Sequence, residues 1–414
     1  MFFYKLRNKV LISRYKFNEF EPISEEEAEK SKDIVYILTQ IDPLKSRRSF
    51  CITDPSLMFL KEEGIRLVKK EKKNTSELPV WIKEKINEKK LSSINIEYPN
   101  WKDVLNLQSP SKWRVHIAGL GDVGGMLLTG LRLLGGEYID SIGIFDKNIK
   151  VMKRWELEAN QIFCPYVSQE FPEVYPVNEE NIFDCDLFIF CATIGVPSLG
   201  REKNDVRMAQ FEGNSKIISI YARKAREKLF KGIFAVISDP VDLLCKHTFL
   251  ISNKNKNDRL DFTGLAPEQI RGYGLGVMNA RAAYYAKKNK KTTAYVREGR
   301  VYGPHGEGLI IANNVRNYNE TLSEQLTNQT LKANLDVRKT GFKPFVGPAL
   351  SSGSYPIIAT LCGKWHYSAT FMGGVFMGAK NRLQKSGIEI ERLNLSSVLM
   401  KKISNTYRKL SMLL

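Results

Sequence analysis

Short apolar runs alternate with longer segments of helical periodicity along much of the chain, most regularly after about residue 113. Apolar runs at residues 115–118, 141–145, 186–193 and 233–238 predict buried strands, and residues 205–229 predict a long helix. Strands that are apolar throughout and alternate with helices form parallel sheets covered on both faces. The pattern therefore predicts an α/β fold built on a doubly wound parallel sheet.

The first part of the chain has a less regular pattern. Apolar runs at residues 34–38 and 50–52 predict short strands, and helical spacing of apolar residues predicts helices at 56–73 and 78–90. We therefore expect residues 1–112 to form a small N-terminal α+β extension.

After about residue 262 the pattern changes again. A helical run at residues 273–289 precedes strand-like pieces at 293–302 and 309–311, and two further helices are expected near the C-terminus. This order predicts an α+β catalytic domain at residues 263–414. The regular α/β part then occupies residues 113–262.

A glycine-rich turn follows the first strand of the α/β part. Gly119, Gly121 and Gly124 form G-x-G-x-x-G where the strand should pass into a helix. In a Rossmann fold these glycines allow a tight turn, close approach of a pyrophosphate, and close packing of helix on strand. Asp146 ends the next strand, near the expected position of the carboxylate that binds a ribose 2′-hydroxyl. The segment predicts a Rossmann-type site that favours NAD over NADP, a preference weakened by the adjacent Lys147.

Loops after the later strands should also face the cofactor, because ligands bind at the carboxyl ends of strands in such sheets. The turns in question are residues 193–196 and 238–241, and the substrate is expected between the α/β part and the C-terminal domain. A structural glycine turn with no ligand is the alternative explanation of the motif. The residues predicted to bind the cofactor are Gly119, Gly121, Asp122, Val123, Gly124, Asp146, Thr193 and Gly195.

The chain is strongly basic, with 63 Lys and Arg against 45 Asp and Glu and a formal net charge of +18. A basic surface attracts nucleic acid, acidic partners, or a charged cofactor and substrate. Lysine-rich stretches at residues 69–73 and 83–90 contribute to this charge, and a solvated helix surface is the favoured explanation of them. Nucleic acid is therefore a partner that no recognised motif supports.

Cysteines and hydropathy give expectations about the compartment. The six cysteines are dispersed and form no C-x-x-C pair or His cluster, which predicts reduced thiols and no metal site. The sequence shows neither an apolar run long enough for a membrane span nor a clean signal-peptide pattern at its start. We expect a cytoplasmic protein.

Several segments resemble the lactate/malate dehydrogenase family, in the order in which that family has them. The resemblance covers about residues 113–414 and not the first hundred residues. It implies an NAD-dependent oxidoreductase that transfers a hydride to or from C2 of a 2-oxo or 2-hydroxy acid, working as a homo-oligomer. The segments are Ala192-Thr-Ile-Gly-Val-Pro197, Ile237-Ser-Asp-Pro-Val-Asp242, Gly272-Tyr-Gly-Leu-Gly-Val-Met-Asn-Ala-Arg281 and Tyr302-Gly-Pro-His-Gly-Glu307.

The resemblance also implies roles for individual residues. His305 matches the acid/base histidine, and Arg281 matches the arginine that binds the substrate carboxylate. Arg201 and Arg207 fall in the segment that matches the mobile loop. The resemblance implies that Arg207 polarises the substrate carbonyl and that Arg201 binds a second carboxylate. The alternatives are a structural histidine in a glycine turn, a surface salt bridge, and a merely soluble loop.

Two positions depart from the family pattern. Met278 stands where the family has the aspartate that orients the catalytic imidazole, and a thioether cannot replace a carboxylate. Asp239 stands where the family has an asparagine, and an ionised carboxylate accepts hydrogen bonds but donates none.

These departures leave three interpretations. Asp239 supplies the carboxylate that Met278 lacks and pairs with His305 as a catalytic residue. Alternatively, Asp239 favours a cationic amine or imine substrate. In the third interpretation the hydride chemistry is altered or lost, and the chain is an NAD-binding module that regulates or recruits a partner through its basic surface.

Overall fold

The computed structural model describes residues 1–71, 78–166, 170–194 and 206–413, with the backbone alone at 206 and 207. In this part of the chain a nine-stranded sheet forms the centre, and residues before 112 build a separate six-stranded sheet. The strands are β1 (Phe2–Leu6), β2 (Lys9–Ser13), β3 (Glu21–Pro22), β4 (Val35–Thr39), β5 (Ser49–Cys51), β6 (Leu91–Asn95), β7 (Trp113–Ala118), β8 (Ile139–Phe145), β9 (Glu173–Pro176), β10 (Leu187–Phe190), β11 (Ile233–Val236), β12 (Ile270–Gly272), β13 (Arg300–Tyr302), β14 (Ile310–Ala312), β15 (His366–Met372), β16 (Val375–Gln384) and β17 (Gly387–Ile390).

Helices cover the sheets and connect their strands. The α-helices are α1 (Glu25–Glu29), α2 (Val80–Asn87), α3 (Asp122–Leu134), α4 (Ile149–Asn160), α5 (Val206–Glu227), α6 (Val241–Ser252), α7 (Leu275–Ala286), α8 (Tyr295–Glu298), α9 (Glu320–Arg338), α10 (Tyr355–Leu361) and α11 (Ser397–Ser411). None of the described helices is both long and apolar enough to cross a membrane.

The central sheet has the order β17-β16-β15-β12-β11-β10-β7-β8-β9. Its strands from β12 to β9 pair in parallel, and β15, β16 and β17 extend the same sheet in antiparallel fashion. Val115 and Ile117 on β7 and Ile189 on β10 are fully buried, because helices cover both faces. The expected Rossmann-type α/β fold is confirmed, and the second half of the chain adds strands to the sheet of the first.

The N-terminal extension has the strand order β3-β1-β2-β4-β6-β5. One apolar cluster, which includes Tyr4, Leu38 and Trp101, has all its buried members within the extension. A second cluster is shared, because Leu67 and Val68 of the extension belong to it together with Met377 on β16 and Leu399 on α11. Tertiary packing therefore joins the first hundred residues to the last fifty.

A buried ion pair also joins the extension to the central sheet. Arg48 Nε lies 3.1 Å from Glu268 Oε1, and the two side chains are only 5% and 10% exposed. A carboxylate that pairs with a buried guanidinium satisfies a charge that would otherwise be costly. The pair holds the start of β5 against the turn that precedes β12.

Two predicted elements were wrong. Residues 56–73 were expected to be helical, but their described part has only the 3₁₀ turns Pro55–Leu57 and Ile65–Val68, since Gly64 adopts a φ of 154° and interrupts the run. Residues 293–302 were expected to be strand-like, but most of that segment forms a helical turn, and the strand is confined to Arg300–Tyr302. The other predicted strands and helices are confirmed within a few residues at their ends.

Candidate active site

Two glycines in the turn after β7 have no room for a side chain. Gly119 has a φ of 95°, and a Cβ there would lie 2.6 Å from the backbone nitrogen of Ala192. A Cβ on Gly124 would lie 2.0 Å from the carbonyl oxygen of Gly119. Only glycine fits at both positions, so the turn brings the start of α3 against the end of β10.

Gly121 has the opposite environment. A Cβ at this residue would meet no atom within 4 Å, and the residue is exposed immediately before α3. The open space lies at a helix N-terminus, where free N–H groups and the helix dipole favour an anion. Asp122, the first residue of α3, is also exposed, whereas Val123 is partly buried against the core.

Asp146 connects the two loops at this edge of the sheet. Its Oδ2 accepts a hydrogen bond of 2.9 Å from the backbone N–H of Leu120, and its Oδ1 accepts one of 3.0 Å from that of Asn148. An ionised carboxylate has about four acceptor positions, so two bonds leave it able to accept from a ligand hydroxyl.

The loops after β10 and β11 are tied together by side chains. Ser238 Oγ donates to the carbonyl oxygen of Ala192 at 2.8 Å. Asn214 on α5 accepts from the N–H of Ile194 at 3.1 Å and donates to the carbonyl of Asp239 at 2.7 Å. Because Asn214 is buried, these bonds hold the two loops at a fixed separation.

His305 lies in the turn between β13 and β14 and is paired with a carboxylate. Its Nδ1 is 2.7 Å from Asp239 Oδ1, the contact hypothesised from the sequence. The backbone N–H of His305 donates to Asp242 Oδ2 at 3.1 Å. A Cβ on Gly274 would come within 2.8 Å of the Cβ of His305, so the start of α7 packs directly against the histidine.

The pKa of His305 is raised above its ordinary value. Burial and the positive charge of Arg281 lower the pKa. The charge of Asp239 and the hydrogen bond to that carboxylate raise it by a larger amount. Opposite charge within hydrogen-bond distance stabilises imidazolium. The histidine is therefore suited to hold a proton near neutral pH.

Arg281 completes the group of charged residues. Burial lowers its pKa, while the charge of Asp239 raises it. Its Nη1 lies 3.8 Å from the sulfur of Met278, and Met278 packs in an apolar cluster with Leu275 and Val277. Position 278, where the resemblance implies an aspartate, is thus part of the core. The carboxylate of Asp239 stabilises the positive charges of both His305 and Arg281.

The structure brings together His305, Asp239 and Arg281 at one end of the central sheet, and it places the glycine turn and Asp146 at the same edge. Thr193 is exposed beside the loop that Asn214 holds. Gly195 and Arg201 lie outside the described residues, as does the side chain of Arg207.

Two supporting residues were not singled out from the sequence. Ser238 ties the loops together, and Asp242 accepts a hydrogen bond from the backbone N–H of His305. Both belong to the quoted segment 237–242, so the motif itself was the signal that would have found them.

Among the described residues, no group of three or more His, Cys, Asp and Glu side chains is arranged to hold a metal ion. The described cysteines are all free thiols. Burial raises the pKa of Cys51 to about 11. An ordinary pH thus leaves that thiol protonated and unreactive.

No family model matches the chain. In sequence it is similar to the L-lactate dehydrogenase of Mycoplasma genitalium, with 28% identity over 204 residues that make up 48% of this chain and 57% of the relative. It is also similar to L-lactate dehydrogenase 2 of Lactobacillus acidophilus, with 28% identity over 240 residues, 56% of this chain and 69% of the relative. The first match thus spans less than two thirds of the relative's length.

Solved structures of the same fold cover more of the chain. A lactate dehydrogenase from a deep-sea metagenome library matches with a TM-score of 0.60 and 16% identity, over 73% of this chain and 97% of that one. The malate dehydrogenase of Archaeoglobus fulgidus in complex with NADH matches with a TM-score of 0.57 and 17% identity, over 72% and 97%. At these identities the structures show a shared fold.

Proposed function

Because the chain is a divergent relative of the lactate/malate dehydrogenases, we propose that it is an NAD-dependent oxidoreductase acting at C2 of a 2-oxo or 2-hydroxy acid. The contact between Asp239 and His305 carries the proposal. It supplies an oriented, protonatable imidazole although Met278 replaces the aspartate that the resemblance implies. An acid/base pair with this geometry is what reversible carbonyl reduction requires.

The residues of the glycine turn fit a dinucleotide. The exposed backbone at Gly121 and the N-terminus of α3 would hold the pyrophosphate, and Asp146 would accept from a ribose hydroxyl. When bound, NAD supplies the hydride acceptor or donor of the reaction.

His305 exchanges the proton in this proposal. Asp239 occupies Nδ1, so Nε2 is the nitrogen left to face a substrate oxygen. In reduction the imidazolium donates a proton to the developing alkoxide, and in oxidation the neutral ring accepts one from the hydroxyl. The raised pKa keeps the imidazolium populated and favours reduction near neutral pH.

Arg281 binds the substrate carboxylate, because its planar guanidinium can form two parallel hydrogen bonds with it. With His305 protonated, His305 and Arg281 carry two positive charges beside the two carboxylates Asp239 and Asp242. The preference for an acid therefore rests on the guanidinium of Arg281 and not on the net charge of the site. Arg207 and Arg201 are proposed to polarise the carbonyl and to read a second carboxylate, respectively.

The test is oxidation of NADH by the purified full-length chain in the presence of mono- and dicarboxylic 2-oxo acids, followed by absorbance. We expect turnover with at least one acid, and a loss of activity of about a hundredfold or more in His305→Gln. An Arg281→Lys variant should raise KM more than it lowers kcat. If the chain binds NADH but oxidises it with none of the acids, the proposal is wrong and the chain is better described as an NAD-binding module.

A further inference from the structure

A second cavity lies between the N-terminal extension and the tip of the β16–β17 hairpin. Its volume is about 590 Å³, within the range of small-molecule sites. Both the extension and the central sheet contribute to its walls. The charged residues of its lining are Lys9, Lys32, Lys89, Lys90 and Lys385 with the acids Asp33 and Glu88.

The charges around this cavity do not cancel. Lys9 lies 3.4 Å from Asp33, and Lys90 lies 2.9 Å from Glu88, so both lining acids are already engaged. Lys89 is 3.8 Å from Glu389, which also binds Arg382 at 2.6 Å.

Lys32 and Lys385 carry the unbalanced charge. Within the described residues neither of them lies within ion-pair distance of an acid. Clustered cations in a concave site raise the local concentration of anions. The cavity is therefore expected to attract an anion.

Hydrogen bonds from side chains to backbone carbonyls fix the segments that carry these lysines. Ser386 Oγ donates to the carbonyl of Lys89 at 2.6 Å, which joins the hairpin of the central sheet to the turn after α2. The ammonium of the buried Lys85 donates to the carbonyl of Ser31 at 2.5 Å, which holds the turn that carries Lys32. Because the backbone on both sides of the cavity is fixed, only the lysine side chains must be ordered when an anion binds.

The cavity also has an apolar wall, formed by Ile34, Tyr36, Leu105 and Leu107. It continues into a neighbouring cavity of about 580 Å³, with which it shares Tyr36, Leu107 and Lys385. That neighbour reaches Trp113 at the start of β7, whereas the glycine turn follows the end of the same strand. The cleft is therefore separate from the dinucleotide site.

We propose that this cleft binds a small phosphorylated molecule, with its phosphate between Lys32, Lys89 and Lys385 and its carbon part against the apolar wall. Nucleic acid fits less well, because the excess charge is confined to a cavity of small-molecule size. The site does not depend on the proposed oxidoreductase activity.

Calorimetric titration of the full-length chain with inorganic pyrophosphate tests the site. The variant Lys32→Ala with Lys385→Ala should bind pyrophosphate roughly tenfold more weakly than the unaltered chain. The control variant Lys332→Ala with Lys401→Ala removes the same charge from exposed positions elsewhere and should bind as the unaltered chain does. All three proteins should unfold at the same temperature without ligand, since the replaced side chains are exposed.

Equal pyrophosphate binding by both variants would assign the anion to the glycine turn and overturn the proposal, as would no binding by the unaltered chain. A single-stranded DNA oligonucleotide serves as the competing probe. If it binds more tightly than pyrophosphate and the Lys32 and Lys385 substitutions leave that binding unchanged, the basic surface is a nucleic-acid surface and the proposal is wrong.

Discussion

Asp239 Oδ1 lies 2.7 Å from Nδ1 of His305, so the histidine has its carboxylate from the loop after β11. The resemblance to lactate and malate dehydrogenases places the corresponding aspartate at position 278 on α7, and Met278 is buried there instead. The same pairing of imidazole and carboxylate is reached from a different element of the fold.

Asp239→Asn should slow the reduction of a 2-oxo acid by about tenfold or more, because the neutral amide no longer stabilises imidazolium. Burial lowers the pKa of His305, but Asp239 outweighs burial, so the pKa is raised in the unaltered chain. Loss of the carboxylate lowers that pKa, so the decline of reduction with rising pH should begin at lower pH. The check is the pH profile of kcat/KM, and an unmoved profile would contradict a role for Asp239.

Exchanging the two carboxylate positions tests the relationship further. Met278→Asp alone buries a charge beside Arg281 and should lower activity and stability. Combined with Asp239→Asn, the same change restores the arrangement that the family resemblance implies. The double variant should therefore be more active than the product of the two single effects predicts, as measured by a double-mutant cycle of kcat/KM. Multiplicative effects would show that the two positions act independently.

Two glycines in the same turn should respond differently to alanine. At Gly121 the added methyl meets no protein atom, so Gly121→Ala should leave the free energy of unfolding within about 1 kcal/mol while weakening NADH binding. At Gly124 the methyl collides with the backbone of Gly119, so Gly124→Ala should destabilise the fold. Urea unfolding and NADH fluorescence titration separate the two effects. Unchanged NADH affinity in Gly121→Ala would argue against a pyrophosphate at this turn.

Glu268→Gln should lower the free energy of unfolding by about 3 kcal/mol, because it leaves the guanidinium of Arg48 buried without a counter-charge. The control is Glu156→Gln, which breaks the pair with Lys153 on the surface of α4 and should cost less than about 1 kcal/mol. Urea denaturation of both variants gives the comparison. Equal costs would mean that the interface between extension and sheet tolerates the unpaired charge.

Local patterns in the sequence were enough to predict the parallel sheet, the glycine turn and the position of Asp146 at the end of a strand, because each depends on residues close together in the chain. The pairing of Asp239 with His305 followed from a departure at position 278 in an otherwise matching set of motifs. The irregular structure at 56–71 was missed because short 3₁₀ turns place apolar residues at a spacing close to that of a helix.

Features that depend on distant pairing could not be predicted. Periodicity does not reveal which strands pair, so the antiparallel addition of β15 beside β12 gave no signal in the sequence. The basic cavity combines Lys9, Lys32, Lys89 and Lys385, which come from four separate segments. Only Lys89 lies in one of the lysine-rich stretches noted in the sequence, and a solvated helix surface was the favoured explanation of that stretch.

The shared core of the extension has a consequence for the synthesis of the chain. Leu67 and Val68, on the 3₁₀ turn Ile65–Val68, leave the ribosome long before α11, the helix that packs against this turn and carries Leu399 and Ile403. The apolar surface at this turn therefore stays uncovered until α11 has been synthesised, although the cluster around Trp101 lies within the extension. We expect chains that stop before α11 to expose this surface and to aggregate more readily than the full-length chain.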